Sequence, residues 1–530
     1  MTGPSANGGG PPTVNAAVPR GSWALAAVLA ALLLGALTVF AQRNLPYAGL
    51  WYDEAVQLWL SLGLDPFAAP GGQPGGVVQV IRQNGRSNLD PGGFSLLLHL
   101  WMRGGFGPAW LRLLPLALFL VGLGAMARLG WVCRPSPPFA VFSAAVPLAY
   151  PLLLYHVTEV RSYTMEFAGV AVASLVLHRL SAELSVRGLA RIGITLAVFM
   201  SSRYSYTIFA GAVCLALAPA IWSCSPRDPR GRAWRLLALG VPVLGGTAFV
   251  AINLWLQRGR LTSDGGAYIQ YLASATAAGK SVGDLLIALR TNLLPPVAIP
   301  VTLAAIVALM PPRWLGRCPT GLLGVGATPE ARRLYHVAPG VLVLSAGLWR
   351  WHPWDVSQKW SLFLYALSAV LVVRLVADIL AWLTPAPPSE APNRTRWRVG
   401  AAGTAIMALL VAGLSVHTAA QRRVHWSDLT PALMQLERMP LGAGSVAVGV
   451  HPYPILRYLC EYGPFVGRLP YPDAFRLPYR GGPKPVVGRE TRYIIAHERP
   501  DTLARMHAGF TFRVVPGWPV HLYLVEPVIR

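Results

Sequence analysis

Residues 22–40 read SWALAAVLAALLLGALTVF, and residues 51–55 read WYDEA. The first stretch is an unbroken apolar run close to the ~20 residues that cross a bilayer as a helix. It is longer than the apolar part of a typical cleaved leader and lacks a clean small-x-small site, so it reads as a retained first span. The second stretch puts two adjacent acids, Asp53 and Glu54, a few residues beyond its end.

The rest of the chain agrees with a membrane reading. Its 530 residues are 54% hydrophobic and 13% charged, against about 25% charged in a typical soluble domain. One soluble globule of this composition would lack the polar surface to stay dissolved. An ordinary soluble enzyme, a disordered chain and a disulfide-stapled module are excluded. The formal net charge of +23 would suit nucleic acid, but the basic residues fall between apolar runs and no compact basic domain stands out, so no nucleic-acid partner is expected. Five cysteines occur, Cys133, Cys214, Cys224, Cys318 and Cys460, without a CxxC or a metal-ligand spacing, and no exported disulfide is expected.

Further apolar runs lie near 109–130, 138–154, 163–180, 188–202, 204–222, 234–254, 293–311, 335–350, 360–382 and 399–420, making about eleven spans in all. Alternate connections carry Arg20, Arg128, Arg134, Arg179, Arg187, Arg191, Arg227, Arg230, Arg232, Arg235, Arg313, Arg317, Arg332, Arg333, Arg394, Arg396 and Arg398. The positive-inside rule places these loops and the N-terminus in the cytoplasm, with the C-terminus outside, in the plasma (inner) membrane. Residues 1–21, rich in Gly, Pro, Ser and Asn, read as a disordered cytoplasmic tail. Residues 22–424 form the membrane domain, with long outside segments at 41–108 and 255–292.

The last outside segment, 425–530, is not membrane-like. Helices are expected at Ser427–Met439, Pro454–Tyr462 and Pro500–Ala508. Strands are expected at Ser445–Val450, Arg492–Ala496, Phe510–Val515 and His521–Val525. The fold class is therefore an α-helical integral membrane protein with a small C-terminal extracytoplasmic α/β domain. Gly442-Ala443-Gly444 superficially matches a dinucleotide fingerprint. Its glycines precede a strand rather than follow one, so a turn is expected.

The outside loops hold the residues that carry chemistry. Asp53 and Glu54 open an amphipathic stretch through Leu62. They fit either an acidic first turn complementing a helix dipole or a general base at the membrane surface, where partial desolvation tunes a carboxylate. The loop continues through a Gly/Pro-rich stretch to Asp90-Pro91-Gly92-Gly93 and a second amphipathic segment, Phe94–Met102. Two interfacial helices forming a groove on the bilayer are expected. The next outside loop reads YHVTEVRSY over 155–163. Its His156, Glu159, Arg161 and Tyr163 either pair among themselves or mark a site, since ionisable groups near a bilayer core cost roughly 2.5–3.5 kcal/mol each. Arg203 and Lys359, at outer helix ends, fit either snorkelling residues in an aromatic belt or cations that receive a lipid phosphate. No P-loop, HExxH, GxSxG or nucleotide-sugar DxD is present.

Taken together, these motifs resemble the GT-C glycosyltransferases that use polyprenyl-phosphate sugars, the group of the protein O-mannosyltransferases and lipid A aminoarabinose transferases. Asp53-Glu54 is similar to the Asp-Glu signature after that family's first span. Asp90-Pro91 through Trp101, then Trp110-Leu111-Arg112-Leu113, is similar to its His-Pro-Pro, leucine-rich and Arg-Leu stretch, with Asp90-Pro91-Gly92 standing where His-Pro-Pro is usual. Glu159-x-Arg161-x-Tyr163 is similar to its Glu-x-Arg-x-Tyr stretch. The likeness covers roughly residues 22–210.

The resemblance implies an inverting sugar transfer from a polyprenyl-phosphate donor to a hydroxyl of a lipid, glycan or protein acceptor. It assigns the base to Asp53, further acids to Glu54 and Glu159, and donor-phosphate contacts to Arg161, Arg203 and Lys359. Tyr52, Asp90, His156 and Tyr163 would line the acceptor groove. Metal use varies across the family, so a divalent metal remains possible. The alternatives are a transporter or lipid flippase, which would place ionisable groups near the midplane, a membrane scaffold displaying the α/β domain, and a GT-C glycan polymerase or ligase.

Overall fold

The computed structural model describes residues 20–46, 49–87, 90–180, 184–224, 228–263, 295–309, 329–351, 362–383, 394–421, 429–449, 452–477, 487, 490–496, 500–506, 510–514 and 522–527. The membrane body begins with helix α1 (Arg20–Asn44). Three helices follow in the first long loop: α2 (Tyr52–Ser61), α3 (Val77–Ser87) and α4 (Gly93–Trp101). The body resumes with α5 (Pro108–Cys133), α6 (Pro137–Ala145), α7 (Pro151–Tyr155), α8 (Tyr163–His178), α9 (Val186–Met200), α10 (Tyr206–Cys224) and α11 (Pro229–Ser263). It ends with α12 (Pro295–Leu309), α13 (Pro329–Trp351), α14 (Leu362–Leu383) and α15 (Arg394–Ala420).

Within the described residues, the apolar stretches expected to span are largely helical, with 138–154 the exception. Among the described residues, six helices are long and apolar enough to cross a membrane by length and composition. Proline sets several starts: Pro108 and Pro137 occupy first-turn positions of α5 and α6, where a missing N–H costs nothing. Proline also breaks the stretch expected as one helix over 138–154. A 3-10 turn at Val146–Ala149 separates α6 from α7, because Pro147 and Pro151 cannot donate to the helical ladder. Helix α11 runs on to Ser263, past its expected end at 254. The rest of the 255–292 loop lies outside the described residues, as does the tail at 1–19.

The first loop differs from its expectation. Three helices form where two were expected, with α3 inside the Gly/Pro-rich stretch. Nor does α2 lie on a bilayer surface, since Glu54 through Ser61 are all buried. The reason is the C-terminal segment, which covers α2. Leu58, Trp59, Phe94, Leu98 and Leu111 share one core with Leu433, Val446, Ile455, Leu456 and Leu459. Trp59 Nε1 donates to the Pro454 carbonyl at 3.0 Å. The Arg457 guanidinium stacks on the Trp59 ring at 3.8 Å and donates to the Asp65 carbonyl at 3.1 Å. A buried cation laid on an aromatic face and hydrogen-bonded to backbone is a specific clamp, beyond apolar burial alone.

That C-terminal segment consists of α16 (Thr430–Leu436), β1 (Val446–Val448), α17 (Tyr453–Glu461), β2 (Phe475–Arg476), β3 (Tyr493–Ile495), α18 (Pro500–Met506), β4 (Phe510–Val514) and β5 (Leu522–Pro527). The sheet order is β2-β1-β3-β5-β4. β1 runs parallel to β2 and β3, and β5 is antiparallel to β3 and β4. The expected helices and strands form, and β2 is an addition. Gly444 has φ +67° in the turn before β1, the left-handed conformation that glycine adopts without strain. This is the turn expected in place of a nucleotide loop.

At the opposite end of the bundle a buried ion pair ties two body helices together. Arg374 on α14 pairs with Asp378 one turn later, and Tyr335 on α13 donates its hydroxyl to the same carboxylate at 2.6 Å. Mutual satisfaction is what permits such charges inside an apolar body.

Candidate active site

Four chain segments converge at the end of the bundle that faces the C-terminal segment. They are the first turn of α2, the loop before α4, and the tips 156–162 and 201–205 that lead into α8 and α10. Asp90-Pro91-Gly92-Gly93 enters as a tight loop. Gly92 has φ +97°, and a side-chain carbon there would sit 2.7 Å from Asn84 Nδ2. At Gly93 such a carbon would fall 2.0 Å from Ser201 Oγ, and the Gly93 N–H donates to the Ser201 carbonyl at 2.9 Å. Gly93 lets the Asp90 loop press against the tip that carries Arg203, and Gly92 lets it press against Asn84 of α3. Asn84 holds the loop from below, donating to the Asp90 carbonyl at 2.9 Å, and Ser95 Oγ donates to Asn84 Oδ1 at 2.7 Å.

Asp90 stands at the centre of the cluster and is buried. Its Oδ2 lies 3.4 Å from Arg161 Nη2 and accepts from Ser162 Oγ at 3.1 Å. Its Oδ1 lies 3.7 Å from Arg203 Nε. Arg203 also sits 3.7 Å from Glu166 Oε2, while Ser205 Oγ donates to the other Glu166 oxygen at 2.5 Å. The Tyr163 ring lies 4.3 Å from the Arg203 guanidinium and 6.0 Å from that of Arg161. His156 stacks on Tyr163, the two rings 3.9 Å apart, and its Nδ1 meets Glu159 Oε2.

Both arginines keep their charge despite burial. Burial pulls Arg161 down, and Asp53, Tyr163, Asp90 and Glu159 more than offset it, raising it above the ordinary arginine value. Burial likewise opposes Arg203, and Asp90, Glu166 and Tyr163 raise it. The Arg161–Asp90, Arg203–Asp90 and Arg203–Glu166 contacts of 3.4–3.7 Å are long beside the ~2.8 Å of a tight charge-assisted hydrogen bond. Two guanidiniums are thus held charged and oriented at a helix-lined end.

Asp53 and Glu54 separate here. Asp53 is half-buried, its backbone carbonyl is 3.5 Å from Arg161 Nη1, and its carboxylate helps hold Arg161 charged. Glu54 is fully buried and serves the scaffold. Its Oε2 lies 3.4 Å from Arg112 on α5 and accepts from the Trp51 N–H at 3.2 Å. Its Oε1 accepts from the Val160 N–H at 3.0 Å. Glu54 thus pins α2 to α5 and to the loop that carries Glu159 and Arg161. Breaking a buried pair on one side costs about 3–5 kcal/mol. Glu54→Gln, which keeps the acceptor for Val160 but removes the charge opposite Arg112, should lower the unfolding midpoint of the purified protein markedly. The double variant E54Q/R112M, which keeps the acceptor for the backbone N–H groups and removes the cation left unpaired, should recover much of that loss. An unchanged midpoint in E54Q would contradict the assignment.

Asp53, Asp90, His156, Glu159, Arg161, Tyr163 and Arg203 are thus brought together. Tyr52 is half-buried and packs against the core shared with the C-terminal segment. Lys359 lies outside the described residues. Glu166, Ser162 and Ser205 also belong to the cluster, although no motif or spacing singles them out. Among the described residues, no three His, Cys, Asp or Glu side chains are grouped to hold a metal ion.

No family model and no curated protein matches the chain. Among solved structures it is similar to the apo oligosaccharyltransferase of Archaeoglobus fulgidus, with a TM-score of 0.38 and 13% identity over 83% of this chain and 64% of that one. It is also similar to the arabinosyltransferase EmbB of Mycobacterium smegmatis, with a TM-score of 0.36 and 16% identity over 76% of this chain and 41% of that one. The chain therefore spans less than two thirds of the length of either protein.

Proposed function

We propose that this chain is a membrane glycosyltransferase that moves a sugar from a polyprenyl phosphate to an acceptor hydroxyl, with inversion at the anomeric carbon. The observation that carries the reading is the meeting of Asp53, Asp90 and Glu159 with two buried, charged arginines at one end of the helical body, under the C-terminal segment. The likeness of Asp53-Glu54 and Glu159-x-Arg161-x-Tyr163 to the GT-C motifs supports the same assignment.

Asp53 takes the proton of the acceptor hydroxyl. The oxygen attacks the anomeric carbon from the side opposite the phosphate, a new C–O bond forms, and the bond to the phosphate oxygen breaks. The electron pair leaves with the polyprenyl phosphate, whose growing charge is met by Arg161 and Arg203. Asp90 and Glu166 orient these two cations. Glu159 and His156 pair beside them and shape the acceptor side. Helices of the body would hold the prenyl chain, and the C-terminal segment would guide a lipid, glycan or protein acceptor. The basic connections favour a plasma-membrane topology with the N-terminus in the cytoplasm and this site outside.

The test is a release assay. Purified protein in detergent is given a panel of short-chain polyprenyl-phosphate sugars, with envelope extract as the acceptor source, and free polyprenyl phosphate is measured. At least one donor should release polyprenyl phosphate only in the presence of extract. No release from any donor, together with counterflow of a labelled solute in proteoliposomes, would point to a transporter instead.

A further inference from the structure

A second feature lies at the other end of the bundle, away from the acid-arginine cluster. Helices α10 and α13 approach most closely near their middles. A side-chain carbon on Gly340 would sit 3.2 Å from the Ala212 Cα, and one on Gly211 would sit 2.9 Å from Leu344 Cδ1. From that crossing towards the Cys224 end of α10 and the Pro329 end of α13 the helices stand apart, leaving a groove of about 560 Å³. This falls within the roughly 300–1,000 Å³ of small-ligand sites.

Its walls are apolar, from Leu215, Pro219 and Ala220 on α10 and Pro339 and Val343 on α13. Its end is polar. Arg332 and His336, one turn apart on α13, stand with Arg333 opposite Ser223. Arg333 donates to the Leu180 carbonyl at 2.6 Å and is buried, so it fixes the helix end. Arg332 is half-buried and His336 is exposed. Leu215 and Val343 are 50% and 66% exposed, so the groove opens sideways to the surroundings of the bundle. Beside the polar end, Arg232 lies 4.6 Å over the Trp222 ring, an aromatic-cationic pairing typical of headgroup depth.

An apolar trough that opens sideways in a helical membrane body, with the Arg332 cation and the His336 imidazole at its polar end, matches one ligand in both charge and shape. We propose that this groove seats an anionic glycerophospholipid, with one acyl chain between α10 and α13 and the phosphate at Arg332 and His336. The lipid would wedge the splayed helices whose far ends lead to Arg203 and to the body opposite it. The site is separate from the sugar-transfer reading and does not depend on it.

Native mass spectrometry of the full chain, released from detergent micelles supplied with either phosphatidylglycerol or phosphatidylcholine of the same acyl chains, tests it. One phosphatidylglycerol per chain should survive collision energies that strip phosphatidylcholine. The surface variant R332Q/H336Q should lower phosphatidylglycerol occupancy about tenfold. Ala220→Trp, which fills the trough, should abolish retention of either lipid. Unfolding midpoints report whether each variant is folded. Equal retention of the two lipids by the unaltered chain, or undiminished phosphatidylglycerol on R332Q/H336Q, would overturn the proposal, whatever the outcome with A220W.

Discussion

Asp53→Asn should leave a folded, membrane-inserted protein that no longer transfers sugar. The substitution is nearly isosteric and removes the only property the mechanism uses, the ability to accept a proton. General-base catalysis contributes about 10²–10⁴-fold, so the turnover rate should fall by that order while donor binding changes little. Asp53 is half-buried, and its loss removes one of several groups that hold Arg161 charged. Asp90 and Glu159 remain to do so, and the unfolding midpoint should stay close to that of the parent. The measurement is polyprenyl-phosphate release per chain under donor saturation, alongside thermal unfolding. Near-parental turnover in D53N would remove Asp53 as the base. A collapsed midpoint would instead make it a structural acid, like its neighbour.

Arg203→Gln is expected to have the second large effect. The Arg203 guanidinium is buried between Asp90, Glu166 and the Tyr163 ring. In the mechanism it meets charge that appears on the phosphate as the glycosidic bond breaks. Removing one preorganised donor of this kind costs about 10²–10³ in turnover. Arg203→Lys should recover part of the loss, because the charge returns without the planar fork that suits a phosphate. A purely structural role would lower the unfolding midpoint and leave turnover per folded chain intact. The split between turnover and stability therefore decides between the two roles.

Much of this arrangement can be read from the residues. Ser22–Phe40 and the other apolar runs become helices because their side chains favour burial and their backbones satisfy themselves internally. The exception at 138–154 also has a visible cause, since Pro147 and Pro151 stand inside the run. Asp53, Glu159 and Arg161 stand out because charges beside spans are costly and need a reason. Adjacent Asp53 and Glu54 were indistinguishable in sequence. Only the helix separates them, since neighbouring residues project about 100° apart, one towards Arg161 and the other towards Arg112 and Val160. Glu166 escaped notice because it sits within the apolar pattern of α8, and its partners Arg203 and Ser205 come from a different hairpin. Strand β2 is two residues long, too short to carry an alternating pattern. The docking of α2 under the C-terminal segment rests on contacts such as Trp59 with Pro454 and Arg457, which lie almost four hundred residues apart along the chain.

The central claim is that the Arg161–Arg203 pair receives the phosphate of a polyprenyl donor. Cryo-electron microscopy of the full chain with a short-chain polyprenyl phosphate tests it most directly. The account places the phosphate within hydrogen-bonding reach of both guanidiniums, with Asp53 beside the face where a sugar would be attached. A phosphate bound elsewhere, with Arg161 and Arg203 still paired to Asp90 and Glu166 as before, would contradict it.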